Sequence, residues 1–253
     1  MNKSFKFGFT LVEVLVAMTI VGVIAAFVIP PLIAGAQNKK HAASLGRSVE
    51  LIETGCQMLV QDMNDKYGGG FEGYFYISKN MDGTASNGPG ESIMSHSEFF
   101  DYSANYFDFT PLDDSDTAAY KKSVHSYDGS NPIPAIERIA EKFYKNSNLG
   151  AYYGVRSLKE DTDPEQENHI LMKEWLNLVY IDVNGPSSPN RYGRDIFLFN
   201  LSSSCHMIPA GTKRLKDMSI PLAIDACNGN SIKNGLSCTA RVVRDGYKIE
   251  YSK

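Results

Sequence analysis

FTLVEVLVAMTIVGVIAAFVIPPLIAGA, residues 9–36, is the stretch of sequence that decides how this chain folds. From Val14 onward it contains no charged residue, and it is longer than the roughly 20 apolar residues that a helix needs to cross a bilayer. The sequence therefore predicts a membrane-spanning helix close to the amino terminus.

The start of this run differs from an ordinary secretory signal, which places a small-residue cleavage site after its apolar core. Here Lys3 and Lys6 lead directly to Gly8. The acidic residue Glu13 then lies inside the apolar run. A carboxylate in hydrocarbon costs roughly 2.5 to 3.5 kcal/mol on insertion scales, so Glu13 needs a partner. If the chain is cut after Gly8, the new α-amine at Phe9 of a neighbouring subunit can be that partner.

The residues KFG followed by FTLVEVLVAMTIVGVIAAFVIP resemble the leader of type IV pilins and type II secretion pseudopilins. The resemblance implies that residues 1–8 are a leader, that a prepilin peptidase cuts between Gly8 and Phe9, and that Phe9 is then methylated. Glu13 becomes the fifth residue of the mature chain. Pro30 becomes the twenty-second, a position where pilins commonly carry a proline that loosens the helix.

The same resemblance implies where the protein works and with what. It would be a single-pass protein of the bacterial inner membrane, in contact with membrane lipid, with its globular part in the periplasm or outside the cell. Other pilin or pseudopilin subunits, the prepilin peptidase and methyltransferase, and an inner-membrane assembly platform would be its partners. After assembly it would be part of a filament.

The charge balance excludes one class of partner. The formal net charge is -4 and becomes -6 when the leader, which carries Lys3 and Lys6, is removed. An acidic chain lacks the electrostatic footprint of a dedicated DNA-binding protein. We therefore expect no specific nucleic-acid partner.

An amphipathic pattern continues beyond the membrane segment. Apolar residues recur at alternating spacings of three and four, which is typical of a helix face packed on a core. They are Ala42, Leu45, Val49, Ile52, Cys56, Leu59 and Met63. We therefore predict one helix from about Phe9 to about Lys66, on the order of 85 Å long. Pro30 and Pro31 are expected to loosen its middle.

The globular domain, residues 67–253, begins with a stretch that shows no sustained period. Residues 67–173 are rich in Tyr, Phe, Gly, Ser and Asp, and we predict an irregular, α-rich region with loops and one short strand. Its clearest helix is opened by Pro134 and runs through IERIAEKFY, with Ile136 and Phe143 on one face.

The carboxyl-terminal part, residues 174–253, carries the strand signals. LNLVYIDV and DIFLFNL are rich in β-branched and aromatic residues, which predicts two adjacent antiparallel strands. TARVVRD and YKIEYSK flank Asp245 and Gly246, a strong hairpin signal. The predicted fold class is therefore α+β: a long amino-terminal helix, with a membrane half (9–36) and an amphipathic half (37–66), is packed on an antiparallel sheet. A large irregular insertion completes this pilin-like architecture.

The connection between the first two predicted strands gathers oxygen-bearing side chains, namely Asp182, Asn184, Asn190 and Asp195. Calcium takes roughly six to eight oxygen ligands from carboxylates, amides and carbonyls, and some type II pseudopilins hold calcium in a carboxyl-terminal loop. The spacing lacks the terminal glutamate of an EF-hand. The simpler interpretation is that Asp182 and Asn184 form Asx turns within the loop. Calcium is the one cofactor that the sequence suggests.

All four cysteines follow the membrane segment, so disulfides can form if that part is translocated. Cys227 and Cys238 enclose a short polar loop, and their spacing suits a disulfide worth roughly 2 to 4 kcal/mol. Many pilins have a similar carboxyl-terminal cysteine loop. Cys56 lies on the apolar helix face, where it is either a free buried thiol or bonded to Cys205.

Catalysis is not expected. The five histidines show no metal-ligand spacing, and the chain has no nucleophile elbow, phosphate-binding loop or zinc signature. We predict a prepilin-like subunit, with two alternatives for the machine. The loop at Asp182 and the large insertion favour a minor or specialised subunit of a type II secretion pseudopilus, whereas the cysteine loop favours a minor pilin for adhesion, motility or DNA uptake. A membrane-tethered enzyme is a remote third alternative.

Overall fold

The computed structural model describes the greater part of the chain: residues 10–67, 104, 106–132, 136, 140, 142–155, 178–201, 205–211, 227 and 235–251. The chain divides into two compact units, Met1–Lys40 and His41–Lys253. Helix α1 runs over Leu11–Tyr67, 57 residues, which is on the order of 85 Å. The predicted single long helix is therefore confirmed.

In the first unit, α1 exposes its large apolar side chains. Leu11 and Phe27 are each 76% exposed. By length and composition, α1 is the one helix of the described residues that could cross a membrane. Pro30 and Pro31 lie inside it, and the helix continues through both. Because proline has no amide hydrogen, each removes one hydrogen bond from the helical ladder.

In the second unit, α1 buries one face against the domain core. The predicted apolar stripe is buried throughout its described part, at Ala42, Leu45, Val49, Ile52, Cys56 and Leu59. The side chain of Met63 lies outside the described residues. Gly55 has a particular role on this face, because a Cβ atom there would come within 2.2 Å of the buried ring of Phe107. The aromatic ring therefore packs directly on the helix backbone.

Six strands form one antiparallel sheet in which sequence neighbours are also spatial neighbours. They are β1 (Thr110–Pro111), β2 (Lys142–Asn146), β3 (Ala151–Val155), β4 (Leu178–Asp182), β5 (Ile196–Leu201) and β6 (Met207–Pro209). Within the described residues, two short helices accompany the sheet, α2 (Asp114–Ser123) and α3 (Cys238–Arg244).

The sheet is covered on both faces, as the alternation of its side chains requires. Tyr153 and Ile181 face each other across β3 and β4 and belong to the core cluster that includes the α1 stripe. Tyr180 and Leu198 pair across β4 and β5 and belong to a second cluster, which includes Tyr120 of α2. The central strands β4 and β5 are therefore almost entirely buried.

The strands predicted from LNLVYIDV and DIFLFNL are confirmed as the antiparallel neighbours β4 and β5. The predicted hairpin at Asp245 and Gly246 is wrong, because TARVVR lies in α3 and Asp245 is the C-cap of that helix. The amides of Gly246 and Tyr247 donate to the carbonyls of Val243 and Val242, and both residues have positive φ. The left-handed backbone that Gly246 adopts after the C-cap ends the helix, and hairpin turns use the same conformation.

The helix predicted through IERIAEKFY is also wrong in its second half, since β2 begins at Lys142. Ile136, Ala140 and Phe143 do share one buried cluster: the amide of Ala140 donates to the Ile136 carbonyl at 2.9 Å, and Phe143 lies in β2. The region predicted as irregular and α-rich, 67–173, supplies three strands, β1 to β3. These strands are short, and each pairs with its neighbour in the sheet: β1 with β2, β2 with β3, and β3 with β4.

Candidate functional site

The first described residues form a hydrogen-bonded unit at the start of α1. The amide and the hydroxyl of Thr10 both donate to Oε2 of Glu13, each at 2.8 Å. The amide of Glu13 donates back to the Thr10 hydroxyl at 3.2 Å. This reciprocal arrangement is a capping box, which satisfies donors that a helix start otherwise leaves without partners. Glu13, the predicted assembly residue, is therefore held within its own chain.

Thr10 is the residue of this unit that the sequence analysis missed. A usable signal was present, because a threonine three residues before a glutamate at the head of an apolar run is the capping-box pattern. Gly8 and Phe9, the predicted processing residues, lie outside the described residues. Their roles, and those of Glu13 and Pro30 in assembly, stay predictions.

The second candidate site is the β4–β5 loop, defined here as residues 182–195. Asp182 is the last residue of β4, and Asp195 directly precedes β5. Because these strands are antiparallel, the two carboxylates lie at the same end of the sheet, and the amide of Val183 donates to the Asp195 carbonyl at 2.9 Å. The loop therefore brings the predicted oxygen-bearing residues together in one place.

Both carboxylates of the loop are fully buried. Asp182 accepts hydrogen bonds from the amide of Asn184 at 3.1 Å and from the hydroxyl of Tyr120 at 2.5 Å. Asp195 accepts from the amides of Asn190 at 2.8 Å and Arg191 at 2.7 Å. Among the residues that the structure describes, no basic side chain forms an ion pair with either carboxylate.

Burial changes the acidity of this pair. It raises the pKa of Asp182 well above its ordinary value, and the nearby charge of Asp195 adds to that rise. Burial also raises the pKa of Asp195, to about 6, against the opposing effect of its backbone hydrogen bonds. Because burial disfavours the charged form of both carboxyl groups, a cation bound between them would stabilise that form.

The two asparagines contribute further oxygen atoms. Within the described residues, Oδ1 of Asn184 is enclosed and accepts no hydrogen bond. The side chain of Asn190 is 3% exposed, and the orientation of its amide follows from its hydrogen-bonding partners. Its nitrogen donates to the carbonyls of Ser187 at 2.7 Å and Gly185 at 3.1 Å, and its oxygen accepts from the Ser123 hydroxyl at 2.7 Å.

The chemistry of these donors fits a hard cation better than a transition metal. No group of three or more His, Cys, Asp or Glu side chains with metal-binding geometry occurs in the described part of the chain. Two carboxylates, amide oxygens and loop carbonyls are instead the ligands that calcium takes. Gly185, with a φ of +59°, is needed for the turn, since a Cβ there would also lie 3.1 Å from the Gly150 carbonyl.

The structure contains both disulfides that the sequence suggested. Cys227 and Cys238 are bonded, and the bond closes an interval of 11 residues beside α3. Cys56 of α1 is bonded to Cys205 in the β5–β6 connection, across 149 residues. The alternative of a free thiol at Cys56 is therefore wrong.

Comparison with known proteins gives one match. Residues 3–29 match the family model of the prokaryotic N-terminal methylation motif, which is the hallmark of type IV pilins and pseudopilins. No curated protein and no solved structure matches the chain. The motif belongs to structural, pilin-type subunits that assemble with others of their kind. Together with the exposed apolar half of α1, it fits a membrane-anchored, pilin-like subunit.

Proposed function

We propose that this chain is a prepilin-like filament subunit that is cut after Gly8, methylated at Phe9, and assembled by packing the apolar halves of many α1 helices together. The capping box at Thr10 and Glu13 carries the proposal. It places Glu13, the single acid of the apolar run at residues 9–36, about one helical turn along the sequence from the amine that cleavage would create. No catalytic role is needed for such a subunit.

The capping box also gives assembly a physical mechanism. Both Thr10 bonds use Oε2 of Glu13, so Oε1 can accept from the terminal amine of a neighbouring Phe9 without breaking the box. In the membrane, the two Thr10 donors lower the cost of an otherwise lone carboxylate. In a filament, the charge of the neighbouring amine would compensate that of Glu13 fully.

The processing step is tested by intact-mass analysis of the chain from membranes with and without a prepilin peptidase. Peptidase should remove residues 1–8 and add one methyl group to Phe9. A Gly8→Val variant should keep its leader and should not enter filaments. Filaments built from uncut chains would refute the proposal.

We propose a type II secretion pseudopilus as the machine, with this chain as a minor or specialised subunit. The oxygen-rich β4–β5 loop and the long region between α1 and β4 support that choice. The alternative is a minor pilin of a type IV pilus, and the Cys227–Cys238 loop beside α3 favours it. Deleting the gene should abolish secretion of exported proteins and leave surface pili and twitching intact. Lost twitching with normal secretion would select the pilus instead.

We also propose that the β4–β5 loop binds one calcium ion that holds its two ends together. Support comes from two buried carboxylates without an ion pair among the described residues and from the enclosed Oδ1 of Asn184. Burying ions without a compensating charge costs several kcal/mol each, which a bound cation would offset. The residues that would hold it are Asp182, Asn184, Asn190 and Asp195.

Calcium binding is tested on the full chain in detergent micelles. Because a ligand that binds only the folded state stabilises it, calcium chloride should raise the melting temperature and EGTA should reverse the change. Asp195→Asn should abolish the response. Magnesium, which is smaller and demands octahedral geometry, is the control cation and should act weakly. An unchanged melting temperature would remove calcium from the proposal and leave the filament function standing.

A further inference from the structure

The last described residues of the chain form one segment, called here the carboxyl-terminal segment, residues 247–251. Exposure alternates along it: Tyr247, Ile249 and Tyr251 are buried or partly buried, and the two residues between them are exposed. A period of two is typical of an extended backbone that presents one side to a core. The segment therefore places its apolar side chains against the domain.

Tyr251 lies against the Cys227–Cys238 disulfide. Both cysteines are fully buried, and the rings of Tyr127 and Tyr251 pack on them. The two rings meet edge to face, with their centroids 5.7 Å apart. The backbone of the β4–β5 loop is also close, because a Cβ atom at Gly193 would lie 3.2 Å from the sulfur of Cys238. Two aromatic rings and a loop backbone therefore cover the bond.

Polar contacts hold Tyr251 in this position. Its hydroxyl donates to the carbonyl of Gly193, and burial raises the pKa of that hydroxyl, so it keeps the hydrogen that it donates. The guanidinium of Arg241, in α3, lies over the Tyr251 ring, 5.6 Å from its centroid. The same guanidinium donates to the carbonyl of Cys227. Release of Tyr251 would therefore break contacts with the β4–β5 loop, with α3 and with the disulfide together.

We propose that the carboxyl-terminal segment gates thiol exchange at the Cys227–Cys238 bond, with Tyr251 as the cover that must open first. A thiolate has to reach a sulfur atom to attack it, so the rate of exchange depends on access. Both cysteines are 0% exposed while Tyr251 is in place. Chain ends open locally at a lower free energy than a core does. A dithiol therefore reaches this bond when the segment opens, without unfolding of the whole unit.

The reaction that the segment gates is reduction by a dithiol such as dithiothreitol. One thiolate of the reagent attacks a cysteine sulfur, and the electron pair of the S–S bond leaves on the other cysteine as a thiolate, which takes up a proton. The second thiol of the reagent then displaces the first cysteine sulfur, which is protonated in turn. The chain gains two thiols, and the reagent becomes a cyclic disulfide. Because coupling is reciprocal, loss of the bond should in turn loosen Tyr251.

The first test is a timed reduction of the full chain in detergent micelles by dithiothreitol, with alkylation of new thiols and mass analysis of the cysteine peptides. In Tyr251→Ala the ring no longer covers the Cys227–Cys238 bond, so its reduction should be faster by roughly 10-fold. The Cys56–Cys205 bond, in the main core cluster, is measured in the same sample and should keep its rate. An unchanged rate at Cys227–Cys238, or equal acceleration of both bonds through a general loosening of the fold, would overturn the inference.

Two further variants separate the ring of Tyr251 from its surroundings. Lys248→Ala is the matched control, because Lys248 is exposed on the same segment, and it should be reduced like the unmodified chain. Tyr251→Phe keeps the ring and removes only the hydrogen bond to Gly193, so its rate should lie between those of the unmodified chain and Tyr251→Ala. If either variant is reduced as fast as Tyr251→Ala, the ring is not the cover and the inference fails.

Limited digestion with a carboxypeptidase supplies the reciprocal measurement, followed by intact mass. In the unmodified chain digestion should stop before Tyr251 is removed. In a variant that replaces Cys227 and Cys238 by Ala, and that circular dichroism shows to be folded, digestion should continue through Tyr251. Equal resistance of both chains would show that the bond does not hold the segment, which would contradict the proposed coupling.

Discussion

The two halves of α1 are both rich in apolar residues, but they differ in what those residues contact. In the first unit, large side chains such as Leu11 and Phe27 are three-quarters exposed. In the second unit, Leu45, Ile52 and Cys56 are fully buried against the sheet. The second half of α1 is therefore packed within its own chain. The first half exposes a large apolar surface, which a membrane or other subunits could cover.

Stability and function should therefore depend on different halves of α1. Substitutions before Lys40 should change insertion or assembly without changing the folding of the second unit, and substitutions after His41 should do the reverse.

Glu13→Ala should abolish incorporation into filaments, because no other acid of the apolar run can pair with the terminal amine of a neighbour. Sheared filaments quantified by immunoblot measure this, and urea unfolding of the second unit should be unchanged. Thr19→Val is the control, since Thr19 donates only to the Leu15 carbonyl in its own helix, at 2.8 Å. Normal assembly of Glu13→Ala would refute the proposed pairing.

Removing the disulfide that closes the longer stretch of chain should destabilise the second unit more. By loop-closure entropy, replacing both Cys56 and Cys205 by Ala should cost about 5 kcal/mol, against about 3 kcal/mol for Cys227 and Cys238. Urea unfolding under matched conditions measures both. The reverse order would show that native contacts, and not the unfolded chain, determine what each bond contributes.

A Gly→Ala change should lower the stability of the second unit when it is made at Gly55 and leave that stability unchanged when it is made at Gly22. At Gly55 the new Cβ would come within 2.2 Å of the Phe107 ring, and this overpacking should cost about 1 to 3 kcal/mol of unfolding free energy. At Gly22 no atom lies within 4 Å of the built Cβ, so the second unit should unfold as before. Equal unfolding curves for Gly55→Ala and the unmodified chain would contradict the close packing at Phe107.

Without added calcium, stability should decline as pH rises from about 4 to about 6. The pKa of Asp195 is raised from 3.8 to about 6 by burial, so between these values the folded chain holds a proton that the unfolded chain has released. That stability is present at low pH and is lost as pH passes the folded pKa. The contribution of Asp195 should be about 2 kcal/mol over this window. Asp195→Asn should make the decline shallower without removing it, because burial also raises the pKa of Asp182, and a profile that rises over this window would be the contrary result.

The sequence was most informative where one physical requirement dominates. The length of the apolar run and the helical spacing of the apolar residues predicted α1 and its buried stripe. A helix that packs on a core must place apolar residues along one face, and that spacing is visible in the sequence. The strands β4 and β5 were predicted because they are buried on both faces and are therefore continuously apolar. The pairing of Cys56 with Cys205, by contrast, could be offered only as one of two alternatives.

The failures came where one local pattern serves two structures. Asp245 and Gly246 predicted a hairpin, but the left-handed backbone that Gly246 adopts also ends α3. The strands β2 and β3 pair with each other and β3 pairs with β4, and no local window of sequence contains that pairing. The contacts of Tyr120 and Ser123 with the β4–β5 loop were missed for the same reason, since each residue lies about 60 residues from its partner in the loop.

The Cys56–Cys205 bond has a mechanical consequence. A filament under tension would pull on its subunits along α1, and hydrogen bonds and apolar contacts yield to such loads one after another. The disulfide joins the helix covalently to the connection between β5 and β6, beside the most buried strands of the sheet. A pulling force on α1 is therefore transmitted through the disulfide to the chain next to the sheet. The helix cannot separate from its domain unless this covalent bond breaks.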